Sequence, residues 1–198
     1  MKNFVLLIFL LIILSCSEKS DRKADKKELN EQDFKKYSQI GKEIVQNSAV
    51  VLKSNLMSAV KEGGITKAIV FCSNRAQFLI DSLSKAYGVS IKRTTFKVRN
   101  PFDKPDDIEI KALNTFKKMR EEKKGLFPIL KQINDKEVGF YYPILIDNPL
   151  CLNCHGTLGE TLDSTIYKRI KELYPNDNAM GYKLGDFRGM WSLKIPIR

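Results

Sequence analysis

Apolar residues recur at helical spacing through two segments that follow a charged N-terminal region. Residues 34–60 carry isoleucine, valine and leucine among good helix formers, and Gly63-Gly64 is predicted to end this long helix. From Ile65 to Tyr87 the apolar spacing alternates between three and four residues, which is typical of a helix with one buried face. The positions of that face are Ile65, Ala68, Ile69, Cys72, Ala76, Leu79, Ile80 and Leu83.

Runs of β-branched residues predict strands after the second helix. The first run is Val89–Val98, and a period of two gives four of its polar positions a common face: Arg93, Thr95, Lys97 and Arg99. The other predicted elements are a helix from Asp106 or Asp107 to Lys123, a strand at Val138–Ile146, a helix at Leu162–Leu173 and a strand at Met190–Ile197. Because helices and strands do not alternate regularly, we expect an α+β domain with an antiparallel sheet.

The N-terminus carries a targeting signal. Its apolar run, Phe4 to Leu14, has 11 residues, whereas a membrane-spanning helix needs about 20, so the run is typical of a secretory signal peptide. The sequence Ile13-Leu14-Ser15-Cys16 resembles a bacterial lipobox, in which cleavage precedes a cysteine that then carries lipid. The alternative is an ordinary signal peptide that contains a cysteine. We expect a signal peptide at 1–15, a charged tether at 16–33 and one domain at 34–198.

Charge narrows the choice of partners. The chain has 198 residues and a formal net charge of +11, which favours an acidic partner such as an anionic cofactor, lipid or protein. Residues 17–35 hold six basic and six acidic side chains, so the predicted tether is not a polybasic lipid-binding segment. A lipid anchor at Cys16 predicts a place in the bacterial cell envelope, facing the periplasm, and this compartment disfavours nucleic acid as a partner.

The segment Cys151-Leu152-Asn153-Cys154-His155 matches the pattern of c-type haem attachment. Two thiols at this spacing reach the two vinyl groups of one haem, and the adjacent imidazole reaches its iron. The predicted secretion of the chain strengthens the match, because c-type haem is attached outside the bacterial cytoplasm. We therefore predict one covalent haem c, bound through Cys151, Cys154 and His155.

Three other interpretations of these cysteines fit less well. A structural zinc site usually needs four cysteine or histidine ligands, and only Cys72 remains to join the segment. A thioredoxin-like pair requires a β-α-β context, which the predicted elements do not provide. A disulfide between Cys151 and Cys154 would close a very small ring.

The second axial position of the iron is constrained by composition. His155 is the chain's one histidine, so two histidine ligands from one chain are excluded. The alternatives are a sulfur ligand, a lysine, water or an open position, and the candidate sulfur residues are Cys72, Met57, Met119, Met180 and Met190. Cys72 lies on the apolar face of the second predicted helix, where a buried core cysteine is as reasonable as a ligand.

Several further blocks carry a resemblance to a known family. They are residues 68–72 (AIVFC), 93–101 (RTTFKVRNP), 151–156 (CLNCHG), 174–177 (YPND), 181–182 (GY), 185–186 (GD) and 188–189 (RG). In order and spacing they resemble the Tll-type family of single-haem c-type cytochrome domains, from about residue 34 to the C-terminus. The resemblance implies a PAS-like antiparallel sheet of about five strands with flanking helices, and iron held between His155 and Cys72.

The haem prediction gives the basic strand a role. Haem carries two propionates, so Arg93 or Arg99 is a candidate to bind them, with Lys97 and Arg188 weaker candidates. The alternative is a solvated strand face. Trp191 is expected in the core rather than against the cofactor.

Three functions are consistent with these residues. The first is a lipid-anchored cytochrome with His/Cys ligation that transfers single electrons at low potential, since a thiolate stabilises ferric iron. The alternative is a haem-based sensor of redox state or a gas, which in a chain this short acts through a partner protein. A peroxidase-like enzyme ranks last because no second histidine is present to act as its acid–base group.

Overall fold

The computed structural model describes residues 28–198. The predicted signal peptide, Cys16 and most of the predicted tether lie outside the described residues. Helix α1 spans Glu31–Asn74 and begins at a capping box in which the side chains of Asn30 and Asp33 each accept the other's backbone N–H. The helix thus starts three residues before the expected domain boundary at Phe34, because Asn30 satisfies its first free donors.

The predicted break between the first two helices is a kink inside α1. Gly63 and Gly64 leave the helical conformation, with φ of +67° at Gly64, a region that glycine enters at little cost. A second break follows at Arg75, and α2 spans Ala76–Tyr87 and ends at Gly88 in the left-handed conformation. The predicted 65–87 helix is therefore two shorter pieces, and Cys72 lies at the end of the first.

Four antiparallel strands form one sheet in the order β1-β4-β3-β2. Their bounds are Ser90–Thr94 (β1), Ile129–Asn134 (β2), Glu137–Leu145 (β3) and Phe187–Pro196 (β4). Helix α3 spans Asp107–Glu121 between β1 and β2. The expected α+β class with an antiparallel sheet is confirmed, whereas the expected number of about five strands is wrong for the described residues.

Strand β1 is shorter than its sequence pattern predicts. It pairs with β4 as far as Thr94 opposite Met190, and the next contact is a side-chain bond from Thr95 Oγ1 to the carbonyl of Arg188, at 2.7 Å. At Gly189 a Cβ would lie 2.9 Å from the Cβ of Thr95. The two segments therefore approach each other more closely here than in a regular pair of β-strands. The common strand face predicted for Arg93 to Arg99 is therefore wrong, because Lys97 and Arg99 follow the strand in an irregular segment.

Three hydrophobic clusters hold the elements together. The largest joins α1 and α2 to the sheet around Phe140, Leu193 and Trp191, which is buried as expected. A second packs α3 against the other part of the sheet through Phe116 and Met190. The third lies around Ile69 and Tyr174, where the end of α1 meets helix α5, which spans Ser164–Leu173. None of the described helices is both long and apolar enough to cross a membrane.

The contact between α1 and the sheet gives a prediction at Gly41. A Cβ at this position would lie 2.8 Å from Cδ2 of Phe140. At a solvent-exposed helix position, Gly→Ala stabilises a protein by about 0.5–1 kcal/mol. At Gly41 the clash with Phe140 outweighs this gain, so we expect Gly41→Ala to lower the free energy of unfolding by about 1–3 kcal/mol. Urea denaturation measures the change.

The exposed Asn47 on the same helix provides the control. Asn47→Ala improves helix propensity without a clash and should raise the stability by up to about 0.5 kcal/mol. If Gly41→Ala stabilised the protein as much as Asn47→Ala, the packing of α1 on Phe140 would be contradicted.

Candidate functional site

The cysteine–histidine segment follows β3 as two short helical turns. Asn148 caps a 3-10 turn at Pro149–Cys151 by accepting from the backbone N–H of Leu150, at 2.9 Å. Helix α4 then spans Leu152–His155. The Asx cap and Pro149 favour this helical geometry immediately before the first thiol.

Both thiols of this segment are free and half-buried. Burial raises the pKa of Cys154 to about 11, an effect opposed by Arg99 and strengthened by the nearby Cys72. Burial likewise raises the pKa of Cys151. Both thiols are therefore protonated near neutral pH. No group of metal-binding side chains suited to an ion such as zinc occurs within residues 28–198.

The His155 imidazole is oriented by one hydrogen bond. Its Nδ1 lies 2.8 Å from the carbonyl oxygen of Ala179, and because a carbonyl can only accept, Nδ1 carries the proton and Nε2 keeps its lone pair. Burial, aided by Arg188 and Arg99, holds the pKa of His155 well below its usual value. The ring is therefore neutral at physiological pH, in the tautomer that ligates iron through Nε2.

The Ala179 carbonyl is fixed by a buried ion pair. Arg99 Nε donates to Asp177 Oδ1 at 3.0 Å, and its Nη2 donates to the carbonyls of Cys154 at 2.6 Å and Ala179 at 3.3 Å. Asp177 also accepts from the backbone N–H of Ala179 at 2.9 Å. One ion pair thus connects the Cys154 turn with the loop that orients His155.

Tyr182 completes the contacts of His155. Its backbone N–H donates to the His155 carbonyl at 3.0 Å, and the two rings meet edge to face at a centroid distance of 6.3 Å. The guanidinium of Arg188 lies 5.3 Å from the centre of the Tyr182 ring. Tyr182 therefore contacts both the His155 ring and the Arg188 guanidinium.

Two further arginines have unused donors. The Nε atoms of Arg93 and Arg188 are buried and have no hydrogen-bond partner within residues 28–198. Both guanidinium groups lie close enough to lower the pKa of His155. Burial raises the pKa of Asp103, and Arg93 and Arg188 oppose that effect. Because an unpaired buried donor is costly, the two Nε atoms indicate a place for an anionic group.

Cys72 lies at the same site. Burial raises the pKa of its thiol, and Arg93 and Arg99 act to lower it. The end of α1 around Cys72 packs on α4 and α5, which brings this cysteine near Cys154. The structure therefore gathers Cys72, Cys154, His155, Arg93 and Arg99, although Arg99 is engaged with Asp177 rather than free.

Sequence pattern alone did not predict the residues that position the histidine. Asp177, Ala179 and Tyr182 lie in the irregular segment between α5 and β4. Asp177 and Ala179 lie 78 and 80 positions from Arg99 in the sequence, so no local pattern reports these contacts. Asp177 and Tyr182 did stand within the blocks that carried the family resemblance.

Comparison with known proteins identifies the family and supports the fold. The model of the Tll0287-like family matches residues 20–196. The chain belongs to the Tll0287-like family. A solved structure described as the cyanobacterial heme-protein Tll0287 has the same fold, with 23% identity, a TM-score of 0.57, and coverage of 86% of this chain and 98% of that chain. No curated protein matches the chain. The expected family is thereby confirmed, and the site described above lies wholly within the matched region.

The buried ion pair of this Tll0287-like chain gives a second prediction. The side chains of Arg99 and Asp177 are 12% and 0% exposed. Removing one member leaves an uncompensated buried charge, so we expect Asp177→Ala to lower the free energy of unfolding by about 3–5 kcal/mol. Denaturation in urea measures the loss.

The matched control is Glu172→Ala. Glu172 pairs with Arg169 at 2.8 Å, but both side chains are largely exposed, and such a pair contributes about 1 kcal/mol or less. Equal costs for the two variants would contradict the structural role of Asp177.

Proposed function

We propose that the chain is an extracytoplasmic, lipid-anchored c-type cytochrome with one haem. The observation that carries this proposal is the attachment segment itself: two free thiols precede an imidazole whose Nδ1 is bound to Ala179, which leaves Nε2 available. The fold is that of a protein described as a heme-protein. We expect Cys151 and Cys154 to form thioethers with the vinyl groups and His155 Nε2 to bind the iron.

The bound haem would supply one-electron redox chemistry at its iron. The polypeptide's part is to fix the ligands and the charges around them. His155 is held neutral by burial and by neighbouring arginines, and its Nδ1–H bond to Ala179 maintains the orientation and basicity of the ring. The contact with Tyr182 blocks rotation of the imidazole.

We propose Cys72 as the second axial ligand. Arg93 and Arg99 favour its thiolate form electrostatically, and binding to iron deprotonates a thiol. Met119 and Met190 fit less well, since they pack in a separate cluster with Phe116. A thiolate stabilises ferric iron, so we expect a low reduction potential and a role in electron transfer.

For the propionates we propose Arg93 and Arg188. Both have a buried Nε without a partner in the described part of the chain, and guanidinium binds carboxylate with two parallel hydrogen bonds. Arg99 was an expected propionate ligand, but its Nε and Nη2 already bind Asp177, Cys154 and Ala179. We therefore assign Arg99 to positioning the segment.

A redox- or gas-sensing role is the second candidate. Burial raises the pKa of the Cys72 thiol, and this favours protonation and release of the sulfur when reduction removes the net positive charge of the iron. An open position would then be available to a small gas. In this case the protein would act through a signalling partner, whereas pure electron transfer keeps both ligands in both oxidation states.

The first test removes the two thioether positions. The double variant Cys151→Ser/Cys154→Ser would be expressed with a c-type haem maturation system. We expect no haem to remain bound to this variant on a denaturing gel. The control is Cys72→Ser, which leaves both attachment thiols and should keep covalent haem. Retention of gel-stable haem by the double variant would disprove attachment at this segment.

The second test concerns the axial sulfur. We expect Cys72→Ala to abolish the low-spin thiolate signal in the electron spin resonance spectrum of the ferric protein, because Cys151 and Cys154 would both be thioethers. Met180→Ala is the matched control, since Met180 packs beside Cys154 in the same cluster, and should leave the signal unchanged. An unaltered spectrum for Cys72→Ala would rule this ligand out.

The third test concerns the lipid anchor proposed at Cys16. Metabolic labelling with a radioactive fatty acid should label the wild-type chain. On fractionation the labelled chain should sediment with membranes. Cys16→Ser should lose both the label and the sedimentation, because the hydroxyl does not replace the thiol in lipid transfer. Equal labelling of the two proteins would contradict the anchor.

A further inference from the structure

A cleft is lined in part by Tyr182, whose ring also contacts His155 of the proposed haem site. It has a volume of about 320 Å³ and is lined by the segment after β1, the end of α3 and the start of β4. That volume lies at the lower end of the range for small-molecule sites, about 300–1,000 Å³. It is separate from the haem-attachment segment, none of whose residues line it.

The lining combines positive charge with flat aromatic walls. Three cations, Lys97, Lys117 and Arg120, and one carboxylate, Asp186, surround it. Asp186 is already engaged, since its Oδ2 accepts from the backbone N–H of Lys183 at 2.7 Å. The aromatic lining residues are Phe96, Tyr182 and Phe187. The electrostatic balance therefore favours an anion.

The cations have donors to offer. The side chain of Arg120 has no hydrogen-bond or ion-pair partner between residues 28 and 198, and the one ion pair of Lys117 there is a long contact of 3.9 Å with Glu121. Lys97 is held in place, because its Nζ donates to the carbonyl of Met180 at 3.1 Å and lies 4.8 Å from the centre of the Tyr182 ring. One fixed and two available cations thus face the same space.

The aromatic walls are rigid where they meet the core. Phe187 packs against Phe116 with ring centroids 5.4 Å apart, and Tyr182 is 7% exposed. Phe96 remains 48% exposed at the rim. Aromatic side chains in the lining favour a flat, conjugated molecule.

We propose that this cleft binds a small organic anion with a flat aromatic or conjugated body and a carboxylate group. The carboxylate would lie against Lys117 and Arg120 and the conjugated body against Tyr182 and Phe187. The simple alternative is that the cations merely complement the C-terminal end of the α3 dipole. In that case they would give no saturable site.

Tyr182 connects this cleft with the proposed redox centre, and this step rests on the proposed function. One of its contacts is the His155 ring, edge to face, and its ring also contacts Lys97. A bound anion next to this wall stabilises ferric over ferrous iron, because ferric iron has the greater positive charge. By linkage, the oxidised protein binds the anion more tightly than the reduced protein.

The test is calorimetric titration of the full-length protein with 2-naphthoate, using 2-naphthalenemethanol as the neutral analogue. We expect saturable one-to-one binding of the anion that weakens with salt, and much weaker binding of the alcohol. Lys117→Gln/Arg120→Gln should weaken 2-naphthoate binding about tenfold or more, since charge-assisted bonds to carboxylate are lost.

The matched control is Lys111→Gln/Lys118→Gln. It removes the same charge from the same helix, and neither residue lines the cleft, so binding should stay within about twofold. Absence of saturable binding, or an equal loss in both double variants, would overturn the site.

Titration of oxidised and reduced protein separates this proposal from the haem proposal. Saturable binding that is tighter in the oxidised form supports both the site and its link through Tyr182. Equal affinities for the two forms would overturn the link. If the protein acquires no haem when it is expressed with a c-type haem maturation system, the proposed function is overturned. Saturable binding of 2-naphthoate to that haem-free protein would still support the anion site.

Discussion

The carbonyl oxygen of Ala179 is the acceptor on which the geometry of the site depends. It accepts hydrogen bonds from His155 Nδ1–H and from Arg99 Nη2. Asp177 holds the other end of this arrangement, because it binds both Arg99 and the backbone N–H of Ala179. Without that pair the Ala179 carbonyl that selects the tautomer of the imidazole would be less firmly held, and the Cys154 carbonyl would lose its hydrogen bond from Arg99.

Charge around this acceptor explains why an anionic cofactor suits the site. Arg93, Arg99 and Arg188 all lie close to His155, and Asp177 neutralises only the second of them. The other two have Asp103 nearby, but the buried Nε of each lacks a partner among the described residues, and an unpaired buried donor favours an anionic group there. Haem propionates and a Cys72 thiolate together would provide it, which links the basic composition of the chain to one place in the structure.

The candidate residues of the site could be identified from the sequence, whereas the residues that hold them in position could not. The attachment segment combines cysteines and a histidine at a short fixed spacing, so Cys151, Cys154 and His155 can be found locally. The helices, the antiparallel sheet and the buried Trp191 follow from hydrophobic period. By contrast, β2 was missed because it is a half-buried edge strand without clear alternation. Asp177 and Ala179 were missed because tertiary contacts alone give them a role.

Arg99 illustrates the same limit. Its position in a basic, β-branched run suggested a strand face directed at propionates, but β1 ends at Thr94, and the chain after it turns toward Asp177. Residue type correctly indicated an anionic partner for Arg99. The partner is a carboxylate of the protein, and only the three-dimensional structure could identify it.

The mass of the intact protein under denaturing conditions tests the central claim most directly. The protein would be purified after expression with a c-type haem maturation system and measured in a denaturant, which removes haem that is not covalently bound. Attachment through Cys151 and Cys154 predicts a mass that exceeds that of the processed, lipid-carrying polypeptide by one haem. A mass equal to the polypeptide alone, from cells that mature another c-type cytochrome normally, would contradict the account.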